Sequence, residues 1–349
     1  MTHRDDIRQL DDRPQEILRL IVRSYIESGE PVGSRTISRT IDRRLSPATI
    51  RNVMSELEDA GYLVQPHTSA GRVPSEQGYR FYVDHISDSG RLSKEDERVI
   101  QRTLADTDTA DELMARASYL LSMISNNVGI VIAPPIAATL LKHIEFVTLG
   151  EGKILVVLVS KAGMIQRKLI RVSDQYAQDE LDRAGRYLVE KFAGKTLTQI
   201  RNELLTMMQE ERRQYDNLLS LLKAWRDSLT VEAEPEVIYV QGTSNILSKP
   251  EFADVDRLRS LFRMFEEKSR LVQILNECIA AQATEGVNIS IGSEFGNPAM
   301  RDFTAITSSY VLNESGGFLG IIGPTRMEYE RGITVVGYIS RLVGEMINA

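Results

Sequence analysis

Residues 46–81 read "SPATIRNVMSELEDAGYLVQPHTSAGRVPSEQGYRF", and this stretch decides the fold of the N-terminal third. Ser46 stands where a helix N-cap belongs, with Pro47 at the first helical position, where its missing N–H is harmless and its fixed φ helps. At about 100° per residue, Ile50, Val53, Met54 and Leu57 share one stripe, which predicts an amphipathic helix ending at Gly61. Beyond it the spacing predicts a short strand over Tyr62–Val64, a turn over Ser69–Gly71, a return strand at Arg72 and Val73, and a further helix from Pro74 and Ser75 through Tyr82.

The residues upstream complete the unit. "PQEILRLIVRSYIES" (14–28) carries Ile17, Leu20, Ile21 and Tyr25 at helical spacing between Pro14 and Gly29. "VGSRTISRTI" (32–41) predicts a second, short helix with Ser34 as its N-cap, stopping at Arg43 and Arg44. Three helices followed by a small ribbon form a winged helix-turn-helix.

The face of the third helix opposite its apolar stripe carries Ala48, Asn52, Ser55 and Asp59, flanked by Thr49 and Arg51. Small and amide-bearing side chains let a helix sit deep in a groove, whereas long Lys and Glu side chains are usual on a merely solvated face. The acids Glu56, Glu58 and Asp59 gather at the other end, so the N-terminal tip is the part suited to a major groove. Arg51 would pair with guanine O6 and N7, Asn52 with adenine, and Ala48 or the Thr49 methyl would meet a thymine methyl. Ser46 and Ser55 belong to the same surface, Ser34 and Arg35 would take phosphates, and His67, Ser69 and Arg72 on the ribbon would reach an adjacent backbone or minor groove.

Charge supports this placement. The 349-residue chain has a net charge of -7, yet residues 31–54 hold Arg35, Arg39, Arg43, Arg44 and Arg51 against the single anion Asp42. A local excess of guanidinium groups inside an acidic protein points to a confined phosphate-binding surface rather than to bulk basicity.

The rest of the chain predicts an α+β multidomain protein. Residues 87–110 read as a linker leading to a helix over Asp111–Ser125. Strands follow in "VGIVIAPP" (128–135), "HIEFVTL" (143–149) and "KILVVLVSKAGMIQRKLIRV" (153–172), then helices over 178–194 and 196–229. In the latter, Leu197, Ile200, Leu204, Met207, Leu218, Leu221 and Trp225 form a heptad stripe that faces either its own sheet or a second subunit. A strand "VIYVQG" (237–242), a helical region around Leu258–Ala283, three strands from Val287 to Pro324 and a closing helix complete an antiparallel α+β domain. "NESGG" (313–317) reads as a hairpin turn whose glycines supply positive φ.

Catalysis finds no foothold. The four histidines are scattered, and GxSxG, GxxxxGK[ST] and a strand–GxGxxG–helix unit are all missing, so neither an enzyme nor a cofactor or metal is expected. Cys278, the single cysteine, excludes an internal disulfide and fits a reducing compartment. No apolar run approaches the roughly 18 to 20 residues of a membrane span, and the acidic N-terminus lacks signal-peptide character, which predicts a cytoplasmic protein without membrane contact.

The segment "HTSAGRVPSEQGYRFYVD" (67–84), with "YIESGEPVGSRTIS" (25–38) before it, resembles the N-terminal domain of the heat-inducible transcription repressor family HrcA. "GIVIAPP", "HIEFVTL", "GVNISIGSE" (286–294) and "GFLGIIGPTRMEY" (317–329) are similar to the family in order and length. The resemblance implies a winged helix-turn-helix over 1–88, a GAF-like domain over 89–138 and 233–349, and an inserted dimerisation domain over 139–232. It further implies a homodimer bound to double-stranded DNA at an inverted-repeat operator ahead of chaperone operons, released on heat stress, with a chaperonin as a further partner. The alternative is a small-molecule-gated regulator whose GAF-like domain is the sensor.

Overall fold

The structure, a computed structural model, describes residues 10–41, 45–68, 70–86, 90–134, 139–161, 163–172, 176–210, 237–247, 249–252, 274–275, 286–312 and 315–348. The N-terminal part is built from α1 (Asp12–Ser28), α2 (Ser34–Thr40), α3 (Pro47–Asp59), the two-residue strands β1 (Leu63–Val64) and β2 (Val73–Pro74), and α4 (Glu76–Asp84). α1 buries Ile17, Leu18, Ile21 and Val22, with Leu20 and Tyr25 partly buried at the stripe's edge, and it stops where Gly29 takes φ +72 and donates its N–H to the Tyr25 carbonyl. α3 buries the expected stripe, Ile50, Val53, Met54 and Leu57, against this layer. α4 begins two residues later than Pro74, because the Ser75 hydroxyl accepts the Gly78 N–H at 3.1 Å and so serves as the cap.

Three sequence expectations need correction. The stretch read as a linker contains α5 (Lys94–Ala105), capped by Ser93 and acidic in its first turn; only Ile100 and Leu104 are buried, so its apolar stripe is too narrow to stand out. Gly33, not Ser34, occupies the N-cap position of α2. Gly316 and Gly317 lie within a strand, paired with Val311 and Tyr310 and outside the positive-φ region. Gly317 is required by proximity instead, since a Cβ there would stand 2.4 Å from the Tyr310 ring and hydroxyl.

α6 (Ala110–Ser125) leads into β3 (Val128–Ile132), from which the chain leaves a five-stranded antiparallel sheet. It returns at β7 (Ile238–Gln241), which pairs with the very strand it left, Ile130 opposite Val240. β8 (Val287–Ile291), β9 (Phe303–Leu312) and β10 (Ser315–Pro324) complete the order β7-β3-β10-β9-β8. Side-chain alternation divides the sheet's two faces. Val131, Ile306, Leu319 and Ile321 join a core with α6 and the C-terminal helix Tyr329–Asn348, while Val128, Ile130, Ile132 and Ile322 pack with Phe295 and Met300.

Between departure and return lie β4 (Leu141–Gly150), β5 (Lys153–Ser160), β6 (Ile165–Arg171), α7 (Gln178–Phe192) and α8 (Leu197–Glu210). They form a separate three-stranded antiparallel sheet, order β4-β5-β6, with its own hydrophobic core. Leu197, Ile200 and Leu204 are buried in that core, so this part of the heptad stripe faces its own sheet. The Met207 side chain, together with Leu218, Leu221, Trp225, Cys278 and most of the 258–283 stretch, lies outside the described residues.

The N-terminal helices do not hang free of the body. One continuous apolar cluster runs from Ile17 through Tyr79 and Tyr329 to Val343. Polar bonds frame it: Arg80 holds both carboxylate oxygens of Glu294 and donates to the Ile289 carbonyl (2.8 Å), Glu76 accepts from the Ser293 N–H (3.1 Å), and Tyr82 donates to Glu330 (3.1 Å). Burial, with the Glu330 carboxylate adding to it, pushes the Tyr82 phenol up to about 12, so it remains a donor at neutral pH.

Close packing of α6 on β3 yields a stability prediction. A Cβ on Gly129 would lie 2.1 Å from the Ser118 carbonyl oxygen. Gly129→Ala is expected to destabilise the fold by about 1–3 kcal/mol, as overpacking does, seen as a lower midpoint in thermal or urea unfolding.

Candidate nucleic-acid interface

α3 owes its start to a local capping arrangement. Ser46 keeps an extended backbone, its Oγ accepts the Thr49 N–H at 3.1 Å, and the same oxygen lies 2.9 Å from the Thr49 hydroxyl. Just before the cap, the Leu45 carbonyl accepts from the Ser38 hydroxyl at 2.8 Å. Ala48, Arg51, Asn52 and Ser55 are exposed on the face opposite the buried stripe, with Ser46 exposed at the tip and Thr49 half-buried beside it. The hydroxyls of Ser46 and Thr49 are therefore first of all the cap of this helix.

Arg35 is exposed at the start of α2, and Arg39, one turn further on, is exposed too. Neither of them, nor Arg51, forms an ion pair with a described residue, and all three are exposed. Arg39 stands four residues after Arg35, a spacing that places both on one helix face. Arg43, Arg44 and Ser69 lie outside the described residues.

Two of the anticipated contacts take other positions. Ser34 is 8 % exposed, tucked into the first turn of α2, which withdraws its hydroxyl from a phosphate. Arg72 directs Nε and Nη2 onto Oε2 of Glu58, at 2.8 and 2.7 Å, and its side chain is 17 % exposed. Its peptide group bonds in both directions with Val32, N–H to carbonyl and carbonyl to N–H, each at 2.9 Å. Arg72 thus holds the ribbon together instead of projecting from it.

The ribbon loop itself is closed by Gln65, whose amide donates to the carbonyls of Thr68 (3.0 Å) and Ala70 (3.1 Å). His67 and Thr68 are exposed at its tip. An exposed helix face, two exposed arginines on the neighbouring helix and an exposed loop tip all belong to the N-terminal unit. Among the described residues no group of three His, Cys, Asp or Glu side chains is placed to hold a metal ion, and no helix is long and apolar enough to cross a membrane.

A helical N-terminal unit is carried on a mixed helix-and-sheet body, and relatives of the chain are transcription repressors. Residues 111–333 match the family model of the HrcA protein C terminal domain. The chain is 42 % identical over 341 residues to the heat-inducible transcription repressor HrcA of Geobacter sulfurreducens, covering 97 % of this chain and 98 % of that one. The HrcA of Syntrophobacter fumaroxidans is 38 % identical over 341 residues, covering 97 % of each chain. A crystal structure at 2.2 Å resolution of a hypothetical protein shares the fold, with a TM-score of 0.64 at 23 % identity over 97 % of this chain and 99 % of that one. The chain belongs to the HrcA family of heat-inducible transcription repressors.

Loss of the α3 cap should be measurable by itself. Ser46→Ala is expected to cost about 1 kcal/mol of stability, read as a shift of the urea midpoint at unchanged slope.

Proposed function

We propose that this chain is a winged helix-turn-helix repressor of chaperone operons that binds an inverted-repeat operator as a homodimer in the cytoplasm and is released on heat stress. The observation that carries the reading is the tip of α3: small and amide side chains face outward beside Arg51, with Arg35 and Arg39 on the neighbouring helix. Arg51 and Asn52 would read base edges in the major groove, Ala48 and Ser55 would permit close approach, and Arg35 would set the register through phosphates. His67 and Thr68 at the ribbon tip would reach the flanking backbone.

On this reading residues 1–88 are the DNA-binding domain, 89–138 with 233–349 the GAF-like domain, and 139–232 the dimerisation insert. The return of β7 beside β3 supports a domain interrupted by an insert. For the dimer, the outer face of the β4-β5-β6 sheet offers a surface. Val147, Leu155 and Leu169 form one cross-strand row, Glu145, Val157 and Arg167 the next, and His143, Val159 and Ile165 the third. Ile165 and Leu169 are 44 % and 53 % exposed. A two-fold axis near Val157 would bring Glu145 against Arg167 of the partner subunit while burying the apolar rows, the self-complementarity an isologous interface needs. The involvement of a chaperonin rests on family resemblance alone.

Two experiments test this. A duplex selected by the wild-type protein from a random-sequence pool should show inverted half-sites, and Arg51→Ala/Asn52→Ala should lose about tenfold or more in affinity for it and discriminate less against mismatches. Undiminished discrimination would remove α3 as the reading helix. Leu169→Glu should yield monomers in sedimentation velocity at concentrations where the wild type is dimeric, with a correspondingly weaker hold on the full inverted repeat.

A further inference from the structure

Three chain segments meet at Arg72. Its peptide group is bonded to Val32, the residue two before α2, through a pair of 2.9 Å hydrogen bonds. Gly71 makes that approach possible, because a Cβ there would stand 2.4 Å from the Val32 carbonyl oxygen. The side chain of Arg72 crosses to the last turn of α3 and grips one oxygen of Glu58 with both Nε and Nη2. With side chains 17 % and 31 % exposed, the pair is partly withdrawn from water and screened less than a surface ion pair. The His67–Thr68 tip lies only four residues before this clamp, on a loop otherwise closed by Gln65.

The Glu58 carboxylate also sits at the acidic end of α3, near Glu56 and Asp59, where an uncompensated charge would repel phosphate. The Arg72 guanidinium therefore neutralises that charge and joins ribbon to helix, while the Arg72 backbone ties the ribbon to the segment before α2. We propose that Arg72 and Glu58 are positioning residues for operator binding, a clamp that holds the ribbon tip at the orientation in which it and the tip of α3 engage one duplex. The inference rests on the reading of α3 and the ribbon as the DNA-binding surface, and it assigns Arg72 no contact with DNA.

Positioning and direct contact predict opposite results. Operator affinity is measured by fluorescence anisotropy on the labelled, pool-selected duplex over a salt series, with thermal unfolding of each variant recorded alongside. A clamp predicts that Glu58→Gln and Arg72→Gln each lose about tenfold in affinity through lost preorganisation, that the double variant is no worse than either single one, and that the slope of log K against log salt is unchanged. The exchanged pair Glu58→Arg/Arg72→Glu should recover most of the affinity. A phosphate-contacting Arg72 predicts instead a slope smaller by about 0.9 for Arg72→Gln, wild-type binding by Glu58→Gln, and no recovery on exchange. Should Glu58→Gln unfold below the assay temperature, Glu58→Asp keeps the charge but shortens its reach, and wild-type affinity in that variant overturns the clamp. Failure of the underlying reading looks different: Arg51→Ala/Asn52→Ala would then bind like the wild type, whereas failure of the clamp alone leaves that variant defective.

Discussion

The burial of one stripe on α3 is the constraint from which the rest of the N-terminal unit follows. Ile50, Val53, Met54 and Leu57 are removed from water against α1 and α2, each worth about 1.5–3 kcal/mol relative to exposure. Because the helix has one rotation that buries all four, Ala48, Arg51, Asn52 and Ser55 have no choice but to face outward. The solvent face of α3 is in this sense a by-product of packing: it is whatever the core does not claim.

Rigidity is then added in layers around that helix. The Ser46 cap fixes where it starts, Ser38 bonds to Leu45 just before the cap, and Glu58 fixes its far end to the ribbon through Arg72. α4 continues from the ribbon directly into the body, where Arg80, Glu76 and Tyr82 bond with Glu294, Ser293 and Glu330. The N-terminal unit and the body share one apolar cluster. The position of α3 is thereby fixed relative to the body through α4 and the shared cluster.

The body contains two separate sheets, each with its own packing. Both faces of the five-stranded sheet are covered, one by α6 and the C-terminal helix and the other by the Phe295–Met300 region. The three-stranded sheet is covered by α7 and α8 on one face, while the other retains Ile165 and Leu169 at about half exposure. An apolar surface left open on an otherwise well-filled unit is the feature that protein–protein contacts use. It lies on the excursion between β3 and β7, in a sheet separate from the five-stranded one.

Local chemistry was enough to read α1, α3, α4 and most strands from the sequence, because caps, glycine stops and apolar periods of 3.6 or 2 act over a few residues. The exposed α3 tip was legible for the same reason, as its solvent face is the complement of its apolar stripe. α5 escaped because two buried residues, Ile100 and Leu104, make a weak period even though Ser93 and the acids after it marked a helix start. What only the tertiary structure decided were relations between distant residues. Arg72 is paired with Glu58, fourteen positions earlier, and Gly317 is fitted to the ring of Tyr310 across the ladder. Whether a charged or a small residue meets a ligand, a partner or its own chain depends on which segments are brought within a few ångströms of it. No rule of local spacing carries that information.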